Sequence, residues 1–174
     1  MSARRQNRLT QQAAPVMMSP TEAQMSQTGM SAEDRLDILD LFARYAWAYD
    51  GGDAEAYAET FEPDGVLADD KSLRAVGRPA IAEAIKIYFD LRGANRWQHY
   101  NDHLRMRGDG ERCTVFSYWL VIERRADGGQ SGVLSSGWYE SHCRKLDGVW
   151  RFAERIIRYE PPGARPSPLS AGPH

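Results

Sequence analysis

The chain has 174 residues, enough for one domain with a substantial core, and its composition is globular: 42% hydrophobic and 26% charged, with five Trp and eight Tyr. A formal net charge of −2 and the absence of a long basic run give no electrostatic reason to expect nucleic acid or an anionic membrane as partner. Met-Ser-Ala-Arg-Arg at the start has the charge of a signal segment, but no apolar stretch follows it. Nothing approaches the roughly 18 apolar residues of a membrane span, so the protein is expected in the cytoplasm.

Residues 1–30 are rich in Gln, Ser, Thr, Pro and Met without a sustained hydrophobic period and are expected to be a disordered tail. A second tail is expected over 161–174, beginning Pro161-Pro-Gly-Ala-Arg-Pro, which leaves 31–160 as the folded domain. Ser31-Ala-Glu-Asp34 reads as a helix N-cap followed by first-turn acids. Leu36, Leu39, Phe42, Ala43, Ala46 and Tyr49 then recur at helical spacing until Gly51-Gly52. Asp53 caps a short second helix that carries Tyr57, Ala58 and Phe61. Pro63-Asp64-Gly65 is a turn and Val66-Leu67-Ala68 a short strand. Gly77-Arg78-Pro79 opens a third helix holding Ile81, Ala84, Ile85 and Tyr88.

After Gly93 the pattern becomes strand-like over 97–107, 112–124, 131–145 and 149–159, broken at Asp109-Gly110, Asp127-Gly128-Gly129 and Asp147-Gly148. Three helices followed by an antiparallel meander predict an α+β fold, with a pocket where the helices fail to fill the face of a long curved sheet. Cys113 and Cys143, 30 residues apart and outside any C-x-x-C arrangement, read as reduced, buried thiols. His99, His103, His142 and His174 form no metal-binding spacing, and neither metal nor cofactor is expected.

Asp50 stands at the carboxyl end of the first helix, where the dipole disfavours a carboxylate by a few tenths to ~1 kcal/mol. Helix stability alone gives no reason for it. The run Leu41-Phe-Ala-Arg-Tyr45-Ala-Trp-Ala-Tyr49-Asp50-Gly-Gly-Asp53 leads to Phe61-Glu-Pro-Asp64-Gly65. Gly77-Arg-Pro-Ala-Ile81, Trp97-Gln-His99-Tyr-Asn-Asp-His103 and Asp147-Gly-Val-Trp150-Arg-Phe-Ala-Glu-Arg155-Ile156 follow. In this order and spacing the chain resembles the SnoaL-like branch of the nuclear transport factor two-like superfamily. The resemblance implies a cone-shaped barrel, in which three N-terminal helices cover a strongly curved antiparallel sheet around an apolar cavity.

Within that superfamily the chain is most similar to cofactor-free lyases: scytalone dehydratase, bile acid 7α-dehydratase and the hexachlorocyclohexane dehydrochlorinase. The resemblance implies a catalytic pair of Asp50 and His99, 49 residues apart, with Tyr45 and Arg155 as further catalytic residues. A scytalone-type second histidine has no clear match, since neither His103 nor His142 falls where one is needed. Other branches are isomerases, cyclases, epoxide hydrolases, ligand binders and oxygenase subunits, so fold membership does not fix activity.

The chemistry suits the residues. Histidine, with an unperturbed pKa near 6.5, can take a proton from carbon and return it to a departing hydroxyl, while an aspartate holds its tautomer. Tyr45 would donate to the developing oxyanion or the leaving group, and Arg155 would neutralise an anion. Plain alternatives stand beside each role: a turn for Asp50, a core or surface position for His99, and packing for Tyr45. Arg155 falls on the opposite side of its strand from Trp150, Phe152 and Ile156, so either a bulge re-aims it or it faces a partner subunit. Arg151 and Arg158 read as surface or interface. His103 shares the parity of His99 and either lines the same cavity or faces an oligomer.

Tyr49, Phe61, Trp119 and Trp138 are the expected substrate contacts, in a pocket suited to a small hydrophobic, flat substrate. Adjacent aromatics such as Trp138 and Tyr139 point to opposite sheet faces, so the outer face also carries aromatics. A second copy would cover them in a homodimer or homotrimer. The resulting expectation is a dehydratase acting on an alicyclic, steroid-like or polyketide-like compound. An isomerase or cyclase, or a non-catalytic binding or assembly subunit, is the alternative.

Overall fold

The computed structural model describes residues 29–159; Glu160 and the expected tails, apart from Gly29 and Met30, lie outside the described residues. Helix α1 (Ala32–Gly51) opens with a reciprocal cap. The Ser31 hydroxyl accepts from the Asp34 N–H, and the Asp34 carboxylate accepts from the Ser31 N–H. It stops at Gly52, whose φ of 79° is the left-handed conformation that glycine adopts without a Cβ penalty. Its buried stripe is Ile38, Leu41, Phe42, Tyr45, Ala46 and Tyr49, whereas Leu36, Leu39 and Ala43 face outward. Apolar residues occur nearly all round this helix, so two stripes compete, and docking selects the one containing both tyrosines.

Helix α2 (Ala54–Glu59) is capped by the Asp53 carboxylate on the Ala56 N–H and buries Tyr57 and Ala58. Phe61, expected on that helix, instead begins strand β1 (Phe61–Asp69), which continues through Pro63-Asp64-Gly65 rather than turning there. Strand β2 (Arg74–Val76) folds back on β1, and helix α3 (Arg78–Arg92) follows with Pro79 in its first turn and Ile81, Ala82 and Ile85 buried.

Four long strands complete the fold: β3 (Arg96–Gly108), β4 (Arg112–Arg124), β5 (Gly132–Leu146) and β6 (Val149–Tyr159). Asp147 and Gly148, at φ 51° and 78°, make the two-residue hairpin between the last two. The sheet order is β2-β1-β6-β5-β4-β3. The fold is α+β as expected, with two differences: β1 runs parallel to β6, so the sheet is mixed, and it is open rather than a closed barrel. Sequence pattern reveals a strand but not its partner, and β1 finds its partner across the whole chain.

Four irregularities shape the sheet, one of them on β1, whose register against β6 shifts between Phe61 and Val66. Register also shifts between Asp102 and Arg105, between Val121 and Ile122 against β5, and between His142 and Cys143 against β6, where Ala153 is the extra residue. Bulges bend the strand and exchange its faces. The core lies between α1 and the concave face, where Phe42, Tyr45, Tyr57, Phe61, Tyr139 and Phe152 meet mostly edge to face or tilted.

Candidate active site

Strand β3 is an edge of the sheet and passes the carboxyl end of α1. Asp50 uses both oxygens on one residue of that edge: the His99 backbone N–H donates to Oδ2 at 2.9 Å, and the His99 ring Nδ1 lies 2.6 Å from Oδ1. A carboxylate only accepts, so Nδ1 carries the proton and the neutral ring keeps its lone pair on Nε2. The sequence oddity thereby gains a cause. The helix-end carboxylate anchors an edge N–H that has no strand partner and sets a tautomer at once. Arg92, at the end of α3, donates from Nη1 to the Asp50 carbonyl oxygen at 3.2 Å, bringing positive charge to the negative helix end. Tyr49 lies against the imidazole, with ring centroids 4.4 Å apart, and stacks on Trp97. The His99 side chain is 10% exposed.

His99 opens on a cavity of about 150 Å³. Six of the chain's eight tyrosines line it: Tyr45, Tyr49, Tyr57, Tyr88, Tyr139 and Tyr159. Trp97, Trp119, Val121, Ile85, Ile157, Leu73, Leu134 and Ser135 complete the wall. At the base the Tyr57 hydroxyl donates to the Tyr45 oxygen at 2.6 Å. Burial pushes the Tyr49, Tyr57 and Tyr139 hydroxyls well above the usual phenol range and Tyr159 up to about 12. These phenols are therefore neutral donors at physiological pH.

Arg155 is fully buried behind this base. The Ala153 bulge turns it inward, so of the two sequence alternatives the bulge is the one observed. Its guanidinium carbon sits 3.7 Å from the Tyr139 ring centroid and 4.1 Å from that of Tyr45, with Phe42 and Phe152 also close. Nη1 donates to Ser141 Oγ at 2.9 Å and Nη2 to Asn101 Oδ1 at 3.0 Å; Nε has no hydrogen-bond partner. Among the described residues no carboxylate lies within ion-pair distance of it. Burying a lone cation costs several kcal/mol. Desolvated ring faces return ~2 kcal/mol or more in favourable cases, so the aromatic box and two neutral acceptors are what make the position tenable.

Of the residues singled out in the sequence, Tyr45, Tyr49, His99 and Trp119 line the cavity, Asp50 is bonded to His99, and Arg155 stands behind the wall rather than in it. Phe61 and Trp138 do not line it, which corrects their expected place. Phe61 is buried in the core between Tyr57 and Phe152, and Trp138 faces outward beside Phe116 and Arg158 while its neighbour Tyr139 points in. His103, at φ 55° in the β3 bulge, is turned out against Tyr118. Sequence reading missed Tyr57, Tyr88 and Tyr159 as cavity residues and Asn101 and Ser141 as partners of Arg155. Asn101 shares the parity of His99, the one signal that pointed to it. Among the described residues no group of three His, Cys, Asp or Glu converges to hold a metal, and no helix is long and apolar enough to cross a membrane.

Residues 30–156 match the SnoaL-like domain, and the chain belongs to that family. Rv3472 from Mycobacterium tuberculosis, a protein of unknown function solved as an Asp-to-Asn variant, is 30% identical, covers 75% of this chain and 78% of its own, and superposes with a TM-score of 0.67. A Catenulispora acidiphila protein solved in complex with S-DNPA is 28% identical over 74% of this chain and 95% of its own, at a TM-score of 0.67. A candidate scytalone dehydratase from Novosphingobium aromaticivorans shares the fold at 21% identity over 80% of this chain and 88% of its own, with a TM-score of 0.63. Among proteins of curated function, none matches in sequence.

Proposed function

We propose that the protein is a cofactor-independent lyase that removes water from a hydrophobic oxygenated ring compound of alicyclic, steroid-like or polyketide-like type. One observation carries the reading: a carboxylate 2.6 Å from the Nδ1 of an imidazole that opens on a tyrosine-lined cavity. Nε2 of His99 takes the proton from a carbon next to a carbonyl, and the C–H electron pair moves to the carbonyl oxygen. Tyr45 donates to that oxygen, while Asp50 stabilises the imidazolium. The enolate then reforms the carbonyl and expels the neighbouring hydroxyl, which leaves with the proton from Nε2 as water. His99 returns neutral.

An isomerase or cyclase would use the same first step and return the proton to another atom of the substrate. Mass spectrometry of turned-over hydroxylated ketones separates the two, by loss of one water against no change of mass. With a substrate in hand, His99→Ala is expected to lower turnover by ~10²–10⁴ while the protein stays folded. Turnover within a few-fold of wild type would rule out the pair and favour a binding or assembly role. The same reading takes the active form as a homodimer or homotrimer joined through the outer sheet face.

A further inference from the structure

Arg155 is the one buried cation among the described residues, and the proton-transfer scheme leaves its charge unused. It has neutral acceptors only, one nitrogen without a partner, and its guanidinium carbon close over the Tyr139 and Tyr45 rings. Those two rings are cavity wall. The positive charge is thus separated from the cavity by one layer of phenol, and Tyr45 and Arg155 are also the polar groups that act on the Tyr139 hydroxyl. The opposing charge at the other side, Asp50, is already engaged by His99, and Lys71 sits over the Tyr159 ring at 3.6 Å.

The cavity also sets a size. About 150 Å³ is the volume that holds a single benzene ring in a protein interior, about half the lower end of the ~300–1,000 Å³ of drug-sized pockets. The base cannot deepen, since Phe42, Phe61 and Phe152 behind it are buried and in mutual contact. Substituents have room toward Leu134, the exposed member of the wall.

We propose that Arg155 is a positioning residue that acts through Tyr139 and Tyr45 to make the cavity base a seat for a negatively charged oxygen, and that the occupant is a one-ring compound whose phenolic or enolic oxygen is ionised there. This rests on the lyase reading for its biological substrate, in which that oxygen is the enolate's, and it narrows the class away from steroids.

The test is binding of para-nitrophenol to the purified full-length protein, at a pH where half the free probe is ionised, read by the phenolate absorption band. The wild type is expected to bind the phenolate at least about tenfold more tightly than the phenol, one pKa unit for the bound probe. Arg155→Met is expected to abolish that preference while still binding the probe, and Arg155→Lys to restore part of it. Tyr139→Phe, which keeps the ring, gives the same loss if Arg155→Met does not fold. His99→Ala is expected to keep the preference. A preference that vanishes in His99→Ala but survives in Arg155→Met would overturn the proposal and leave the lyase reading standing. Persistence of the preference in His99→Ala, joined to undiminished turnover there, would retain the proposal and sink the pair. Androstenedione is expected not to displace the probe; displacement at equal concentration would refute the size limit.

Discussion

Asp50 serves two bonds with one carboxylate, and the two can be separated. Asparagine keeps an acceptor for the His99 N–H, but its amide can also donate to Nδ1, which moves the ring proton to Nε2 and removes the base. Asp50→Asn is therefore expected to leave stability within about 1 kcal/mol, since the lost charge assistance is partly offset by relief at the negative helix end. Turnover should nevertheless drop by ~10²–10⁴. Urea unfolding beside kcat reads the two effects, and a loss of activity only in proportion to lost folding would reduce Asp50 to a strand anchor. The thiols give a second prediction at this scale. Cys113 and Cys143 are direct cross-strand partners, free and buried, and burial pushes Cys113 up to about 11 and Cys143 higher still. Thiolate is the reactive form. A disulfide-exchange reagent is expected to label neither thiol in the native protein and both after unfolding; rapid native labelling would show that this part of the core opens.

At the scale of elements, the first turn of α1 is bound to the far end of the chain. The Asp34 carboxylate accepts from Lys145 Nζ at 2.8 Å and from Trp150 Nε1 at 2.9 Å, joining α1 to both strands of the β5–β6 hairpin. Lys145 first, then the Ser31 hydroxyl and the Trp150 indole, hold this carboxyl far below the usual carboxylate range. A depressed folded pKa contributes stability that is whole above the unfolded value of ~3.9 and is lost as pH falls through the folded value. Asp34→Asn should thus be less stable than wild type at neutral pH, and the gap should narrow progressively below about pH 4, as acid titrations of urea midpoints would register. A gap independent of pH would mean that the lost hydrogen-bond geometry, not the charge, is what matters.

Much of this element scaffold was legible in the sequence. The helix caps, the helix-ending Gly52 and the Asp147-Gly148 hairpin are local chemistry and fall where they were read, whereas Pro63-Asp64-Gly65, read as a turn, runs on as strand β1. The Asp50–His99 meeting was legible only through the family pattern, since nothing local says that an edge strand will pass that helix end. What pattern could not supply depends on partners. The outward turn of His103 and the inward turn of Arg155 follow from bulges, each of which is one residue more than the neighbouring strand offers. Parity along a single strand cannot count its neighbour's residues. Phe61 failed for a related reason, because its partner Phe152 lies at the other end of the fold.

For the molecule as a whole, the two faces of the sheet differ in kind. On β4, Cys113, Val115, Ser117, Trp119 and Val121 are buried, while Phe116, Tyr118 and Leu120 between them reach solvent, Tyr118 being 56% exposed. The cross-strand neighbour Trp138 extends the outer patch, and Arg158 with Glu140 supplies one charge of each sign beside it. A contiguous aromatic patch of this kind, with paired charges at its side, suits coverage by a second copy of this chain. The purified protein is accordingly expected to run as a homodimer or homotrimer by light scattering. Tyr118→Glu is expected to weaken association at least about tenfold, the effect of placing one unpaired charge worth 1.4 kcal/mol or more in the contact. Because Tyr118 points away from the cavity while its neighbour Trp119 lines it, ligand binding in the dissociated form reports whether the cavity is complete within one chain. A monomeric wild type, or an oligomer indifferent to Tyr118→Glu, would remove this face from consideration. A dissociated variant that no longer binds para-nitrophenol would instead show that the second copy holds the tyrosine-lined wall in place.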